Sequence, residues 1–229
     1  MKANLPSRYD LEARHIPSLV CSMPFFLLGF YFLTGVDDGF WSSLAGLTFG
    51  GLGLTAAMFL VMVKFCRDLG KLIEEKIFTE GLTFPTTTFL SDDDDSLSDD
   101  YKAKVIQKIN LRFGTDLSNK TTGSVQDKRA INEAVRSINS MFYGKNALLL
   151  QRTIQFGFSK NLFAGTLIAI VTSLIGILIS ILTDNSMALN AAVVLLVSYI
   201  IVGALAFLSI RFTAKHYAQA LYSEFMASE

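Results

Sequence analysis

The sequence has few charged residues, few cysteines and no net charge, and each of these shortages excludes a class of protein. Charged residues are 17% of the chain, against about a quarter in an average soluble domain, and they are absent from four long stretches. Two cysteines are too few for a disulfide-stapled secreted scaffold. The formal net charge is zero, so no overall field draws the protein to nucleic acid.

Motifs of common active sites are also missing. The chain has no GxxxxGK[ST] phosphate loop, no HExxH or GxSxG motif and no CxxC pair. The two histidines, His15 and His216, lie at opposite ends of the sequence. We therefore expect the protein not to be an enzyme, and we expect no catalytic residue, no cofactor and no metal.

What the sequence has instead is four apolar runs without a single Lys, Arg, Asp or Glu. Each run reaches or passes the ~18 to 20 residues that cross a ~30 Å hydrocarbon layer as a helix. They comprise residues 18–36, 39–63, 161–183 and 185–210. These runs predict an all-α membrane protein with four transmembrane helices, arranged as the hairpins 18–63 and 161–210. A helical cytoplasmic domain, residues 64–160, is then inserted between spans two and three.

Basic residues predict the orientation, because Lys and Arg favour the cytoplasmic side of a membrane. All twenty lie in the N-terminal tail 1–17, the domain 64–160 or the C-terminal tail 211–229. The two connectors between paired runs contain acidic residues and no basic one. Both tails and the middle domain are therefore predicted to be cytoplasmic, in a multi-pass protein whose main partner is the lipid bilayer.

The cytoplasmic domain reads as several short amphipathic helices. Ser98, followed by two aspartates, predicts a helix start, and Gly114 predicts its end. Ser124 opens another helix in a pattern that resembles a capping box. Two segments carry polar groups that a ligand or partner could use. Pro85, Thr86 and Thr87 offer hydroxyl groups, although a turn that ties the domain to the membrane explains them as well. The acidic run that ends at Asp95 could bind a cation, or it could be a solvated loop.

Small residues in the apolar runs predict close helix contacts, because in lipid the helices associate through tight packing. Gly46 and Gly50 have the GxxxG spacing. Such contacts can form within one chain or between the subunits of a homo-oligomer, and both arrangements stay open. The glycines predicted to pack helices are Gly46, Gly50, Gly53, Gly176 and Gly203.

The middle of the chain resembles a family of bacterial four-span membrane proteins to which no activity is assigned. The resemblance covers residues 80–163 and begins with EGLTFPTTTFL, an acidic stretch and LSDDYKAKVIQKI. It closes with LLLQRTIQFGFSKNL, where Gly157 and Asn161 belong to a Gly-Phe-x-x-Asn motif. Phe156 and Ser159 depart from the family, which usually has Tyr and a basic residue there. The resemblance supports the predicted architecture in a bacterial inner membrane and gives no chemistry. We separately predict that Gly157 and Asn161 contact a ligand or partner.

A small multi-span membrane protein that has a compact cytoplasmic domain and no recognisable active site is predicted to be a membrane effector or sensor of a bacterial antiphage or stress system. In this interpretation the cytoplasmic domain detects a signal, often through a cytoplasmic protein encoded nearby, and the membrane helices respond. A membrane scaffold that recruits a cytoplasmic enzyme is the alternative. A constitutive channel or transporter is less favoured, because no ionisable residue lies inside the four runs.

Overall fold

The computed structural model describes residues 7–34, 48–118, 123–142 and 146–228, and every regular element in these ranges is a helix. A π-helical turn, Leu11–His15, joins the first two α-helices, and a 3-10 turn, Thr79–Gly81, precedes the fourth. The α-helices are α1 Arg8–Asp10, α2 Ile16–Thr34, α3 Thr48–Ile77, α4 Pro85–Thr88, α5 Asp99–Phe113, α6 Val125–Phe142, α7 Ala147–Leu182 and α8 Ser186–Ala227. The all-α prediction is confirmed.

Local sequence signals explain where several helices begin and end. Ser98 has extended backbone angles directly before α5, and Gly114 ends that helix with a φ of 65°. Glycine tolerates this left-handed conformation because it has no Cβ. The hydroxyl oxygen of Ser124 accepts a hydrogen bond of 3.1 Å from the Asp127 N–H at the start of α6. These helix ends agree with the sequence predictions.

The prediction of four membrane spans is wrong. Over the described residues, two helices are long and apolar enough to cross a membrane, α7 and α8. Neither of the two comes from the predicted hairpin 18–63, as far as that hairpin is described. In the described part of α3, residues 48–63 carry no charge and Lys64 is the first charged residue. The rest of α3 is an amphipathic, charged helix, and residues 35–47 of the predicted hairpin lie outside the described residues.

The chain forms two compact units. The first comprises residues 1–71 and 157–208, and the second comprises residues 72–156 and 209–229. Helices α3, α7 and α8 each contribute residues to both units. Fully buried apolar side chains from four helices or their flanks form the core of the second unit, among them Leu90, Val105, Ile109, Ile131, Ile138, Leu221 and Phe225.

Residues 211–227, which the sequence assigns to a tail, form the last part of α8 and belong to the second unit. Leu221, Tyr222 and Phe225 are completely buried there. The Glu224 carboxylate accepts a 2.6 Å hydrogen bond from the Asn146 side chain. The Lys108 ammonium group donates to the backbone oxygens of Met226 and Ser228. The end of the chain is therefore a structural part of the helical unit.

Candidate membrane surface and buried polar contact

The membrane-length helices have an exposed surface made of large apolar side chains. Within the most apolar 18-residue window, 33% of α7 and 22% of α8 is buried. A core helix of a soluble protein would be mostly buried, because exposed apolar patches of this extent are rare in soluble monomers. The exposed side chains on the two helices include Val171, Leu174, Ile175, Leu178, Val194, Val197, Ile201 and Leu205.

Small and polar side chains occupy the interior of the first unit. Soluble proteins show the reverse, with large apolar side chains inside and polar ones outside. Small and polar interiors are expected in a lipid bilayer, because the lipid tails are as apolar as leucine side chains. The hydroxyl groups of Ser173 and Ser180 donate to backbone oxygens one turn earlier, at 2.8 and 2.7 Å, so their polarity is satisfied locally. The buried residues of these helices include Ala164, Thr166, Ala169, Ser173, Ser180, Ala188, Ala192 and Ala206.

Asn161 is the most deeply buried amide in this interior, with 2% of its surface exposed. Its Nδ2 donates a 2.6 Å hydrogen bond to the backbone oxygen of Ala13, in the π-helical turn. Its Oδ1 is buried without a hydrogen-bond partner. A Cβ built on Gly70 would lie 2.7 Å from that oxygen. Asn161 of α7 therefore contacts both the N-terminal segment and α3.

The sequence explains why the Ala13 oxygen lacks its α-helical donor. In an α-helix the carbonyl of residue 13 accepts from the N–H of residue 17, and Pro17 has no N–H. The chain forms a π-helical turn at residues 11–15 at this place, and such turns often occur at functional sites. The Asn161 amide donates to the oxygen that Pro17 leaves without its α-helical donor.

Two glycines on α7 let the N-terminal helix approach closely. A Cβ on Gly157 would lie 3.1 Å from both the Ala13 Cβ and the Tyr9 hydroxyl oxygen. A Cβ on Gly165 would lie 2.5 Å from the Cys21 sulfur and 3.2 Å from the Cys66 sulfur. Both cysteines are buried and free. The structure therefore brings the predicted residues Gly157 and Asn161 together in one set of helix contacts.

The other glycines predicted to pack helices have different surroundings. Gly203 is buried against Thr166, whose Oγ1 would lie 2.9 Å from a Cβ at that position. Gly176 is buried, and its backbone oxygen accepts the bond from Ser180. Gly50 and Gly53 lie in α3, and Gly46 lies outside the described residues.

Pro85, Thr86 and Thr87 belong to the second unit and form most of α4. Thr86 and Thr87 are buried. The Thr87 hydroxyl donates a 3.0 Å bond to the Gly81 oxygen, and the buried Tyr222 hydroxyl donates to the Thr86 oxygen. This segment is therefore tied into the interior of the unit, and its two threonine hydroxyls do not face solvent.

The acidic run is arranged around a buried lysine. The Lys102 ammonium group donates to the backbone oxygens of Ser91 and Asp94 and lies 3.9 Å from the Asp99 carboxylate. Burial acts to raise the pKa of Asp94, but the hydrogen bonds with Ser96 and Thr88 and the charge of Lys102 together lower that pKa overall. Asp95 is exposed. No group of three or more His, Cys, Asp or Glu side chains within the described ranges could hold a metal ion.

Several residues of these contacts were not among the sequence candidates. Gly70 gains its role from Asn161, far away in the chain, so no local signal identifies it. Pro17 does have a local signal, because it removes the α-helical donor of the Ala13 oxygen four residues earlier. The buried residues of the second part of α8 do have a signal. Ala214, Ala218, Leu221 and Phe225 recur every three or four residues, which is the spacing of an amphipathic helix.

Fold and surface together define a class: an all-helical protein with a pair of membrane-length helices and a separate helical unit. This chain matches no protein-family model, no curated protein and no solved structure. The resemblance to bacterial four-span proteins therefore stays a prediction.

Proposed function

We propose that this protein is anchored in a lipid bilayer by α7 and α8. The observation that carries the proposal is the reversed polarity of the first unit, where large apolar side chains lie outside and small or polar ones lie inside. In the hydrocarbon layer the exposed side chains would be removed from water, which is favourable by about 25 cal/mol per Å² of apolar area.

The basic residues indicate the side on which the second unit lies. Arg211 and Lys215 follow the apolar part of α8, Lys160 precedes that of α7, and the short connector carries Asp184 instead. The positive-inside rule then favours a cytoplasmic location for the second unit and the C-terminal segment. Tyr9 and Ala13 contact Gly157, so the N-terminal segment belongs to the same side. For a bacterial protein this orientation corresponds to the inner membrane.

We further propose that the protein acts as a sensor or effector, as in an antiphage or stress response. Three helices contribute residues to both units, so a ligand or partner of the second unit acts on helices that also form the first. Asn161, Gly70 and Ala13 provide a polar contact in the first unit whose rearrangement would change how its helices pack.

Membrane potential in living bacteria tests the effector role. Cells would express the full chain with its neighbouring gene and carry a potential-sensitive dye during phage challenge. A chain without residues 211–229 keeps both membrane-length apolar segments but lacks Leu221, Tyr222 and Phe225 of the second core, so it is the matched control. The proposal expects depolarisation in cells that express the full chain and none in cells that express the truncated chain. An unchanged potential with both chains under every challenge would contradict the effector role.

A membrane scaffold is the second candidate, favoured by apolar side chains exposed on the second unit. Leu111 is 80% exposed, and Leu72 and Val125 are more than half exposed. Capture of one stoichiometric soluble protein by the wild type, and its loss in the variant Leu111→Ser with the fold intact, would support the scaffold. The scaffold role also requires that the purified protein alone does not make liposomes leak.

A further inference from the structure

A cleft of about 200 Å³ opens on the second unit between α6 and the turn that precedes α4. Its lining residues are Leu82, Arg129, Asn132, Glu133 and Arg136. Four of these lie on α6 at positions three, four and seven residues apart, and residues with this spacing share one face of a helix. Leu82 supplies the opposite wall.

The turn opposite α6 is held in a defined conformation. Gly81 has a φ of 87° and Thr79 a φ of 44°, and non-glycine residues with such angles are uncommon outside constrained sites. The Gly81 oxygen accepts the Thr87 hydroxyl bond. The Asn132 amide nitrogen would lie 3.1 Å from a Cβ at Gly81. The turn therefore lies directly against α6, and the cleft is preformed.

The charges of the cleft are not paired with each other. Arg129 and Arg136 are exposed, and no salt bridge within 4.0 Å joins either one to Glu133 or to another acid among the described residues. Arg129 and Glu133 have the i,i+4 spacing, but with the base first, which is the weaker order on a helix. Two guanidinium groups against one carboxylate leave the cleft with a net positive charge.

We propose that this cleft binds a phosphate monoester. Such a group carries nearly two negative charges at pH 7, which matches two guanidinium groups better than a carboxylate does. Each guanidinium can present a planar pair of donors to phosphate oxygens. Asn132 and Glu133 are then placed to bond hydroxyl groups on the esterified part. The site belongs wholly to the second unit, so it does not depend on the proposed membrane role.

Calorimetric titration of the full chain in detergent micelles tests the site, with adenosine monophosphate and inorganic phosphate as probes. Loss of one charge-assisted hydrogen-bonding group costs about 1.5 kcal/mol or more, so Arg129→Gln and Arg136→Gln should each weaken binding about tenfold. Arg136→Lys should also weaken it, because lysine lacks the planar pair of donors. Glu133→Gln should strengthen binding, since it removes the one repulsive charge. Lys104→Gln, an exposed charge outside the cleft, is the matched control and should change affinity less than twofold.

Opposite effects of the arginine and glutamate variants would support the site, because a general loss of stability weakens binding in every variant. Nanodiscs distinguish the source of the phosphate. If nanodiscs that contain phosphatidic acid weaken nucleotide binding and nanodiscs of phosphatidylcholine alone do not, the natural ligand is a lipid headgroup. If neither weakens it, the natural ligand is a soluble ester. Absence of binding by both probes and by phosphatidic acid, or binding that Arg129→Gln and Arg136→Gln leave unchanged, would overturn the proposal.

Discussion

At the scale of single residues, a few polar groups organise interiors that are otherwise made of small or apolar side chains. Asn161 supplies a donor to the Ala13 oxygen, which Pro17 deprives of its helical partner. Lys102 binds the backbone of the acidic segment. A hydrogen bond to a buried carbonyl matters mainly through the cost of leaving that carbonyl unpaired, about 1–3 kcal/mol.

The contact between Asn161 and Gly70 predicts a specific coupling. Gly70→Ala should destabilise the protein by about 1–3 kcal/mol, because the new methyl would lie 2.7 Å from the Asn161 Oδ1. Asn161→Ala should cost about the same through the lost bond to Ala13. When both are combined, the Gly70→Ala cost should largely disappear. Unfolding in mixed micelles measures the double-mutant cycle, and strictly additive losses would show that the two residues do not touch.

Two tyrosines of the second unit predict a loss of stability at high pH. Burial raises the pKa of Tyr217 to about 12, although its bond to Asn139 acts to lower it, and burial also raises the pKa of Tyr222. In the unfolded chain both ionise near pH 10. Their contribution is therefore complete below pH 10 and falls as the pH rises above 10, and that of Tyr217 is lost by about pH 12. Tyr217→Phe should flatten the fall in unfolding free energy over that range, and an identical slope in the variant would contradict the assignment.

At the scale of helices, the sequence predicts the features that depend on neighbouring residues and does not predict the contacts between distant ones. The ends of α5 and the start of α6 follow from Ser98, Gly114 and Ser124, because capping depends on neighbours within four residues. The bond from Asn161 to Ala13 joins residues 148 positions apart, and no local pattern encodes it. The four-span prediction was wrong because, over the described residues, only α7 and α8 are long and apolar enough to cross a membrane; residues 35–47 of the predicted hairpin 18–63 lie outside those residues.

The last part of α8 predicts that the second unit depends on the C-terminal segment. Phe225 is completely buried, stacks on Phe113 at 6.2 Å between ring centroids and belongs to the core of that unit. Phe225→Ala should cost about 3–5 kcal/mol, read as a lower melting temperature. Gln219→Ala, at an exposed position of the same helix, is the control and should stay within about 0.5 kcal/mol. Equal melting temperatures for both variants would mean that the segment is a dispensable tail.

At the scale of the whole molecule, the two units have opposite surface chemistry. The first exposes Val171, Ile201 and similar side chains around a small-residue interior, whereas the second buries a conventional apolar core and exposes charge. The proposed membrane anchoring therefore concerns the first unit, and the proposed phosphate site concerns the second.

Fluorescence quenching in lipid vesicles tests the membrane claim most directly. The chain has a single tryptophan, so a Trp41→Phe background can carry one new reporter at a time. Val171→Trp and Ile201→Trp place it on exposed positions of α7 and α8, and Leu111→Trp places it on an exposed position of the second unit. We predict that brominated lipids quench the first two reporters and aqueous iodide quenches the third. Iodide quenching of all three, with no effect of brominated lipid, would contradict the account.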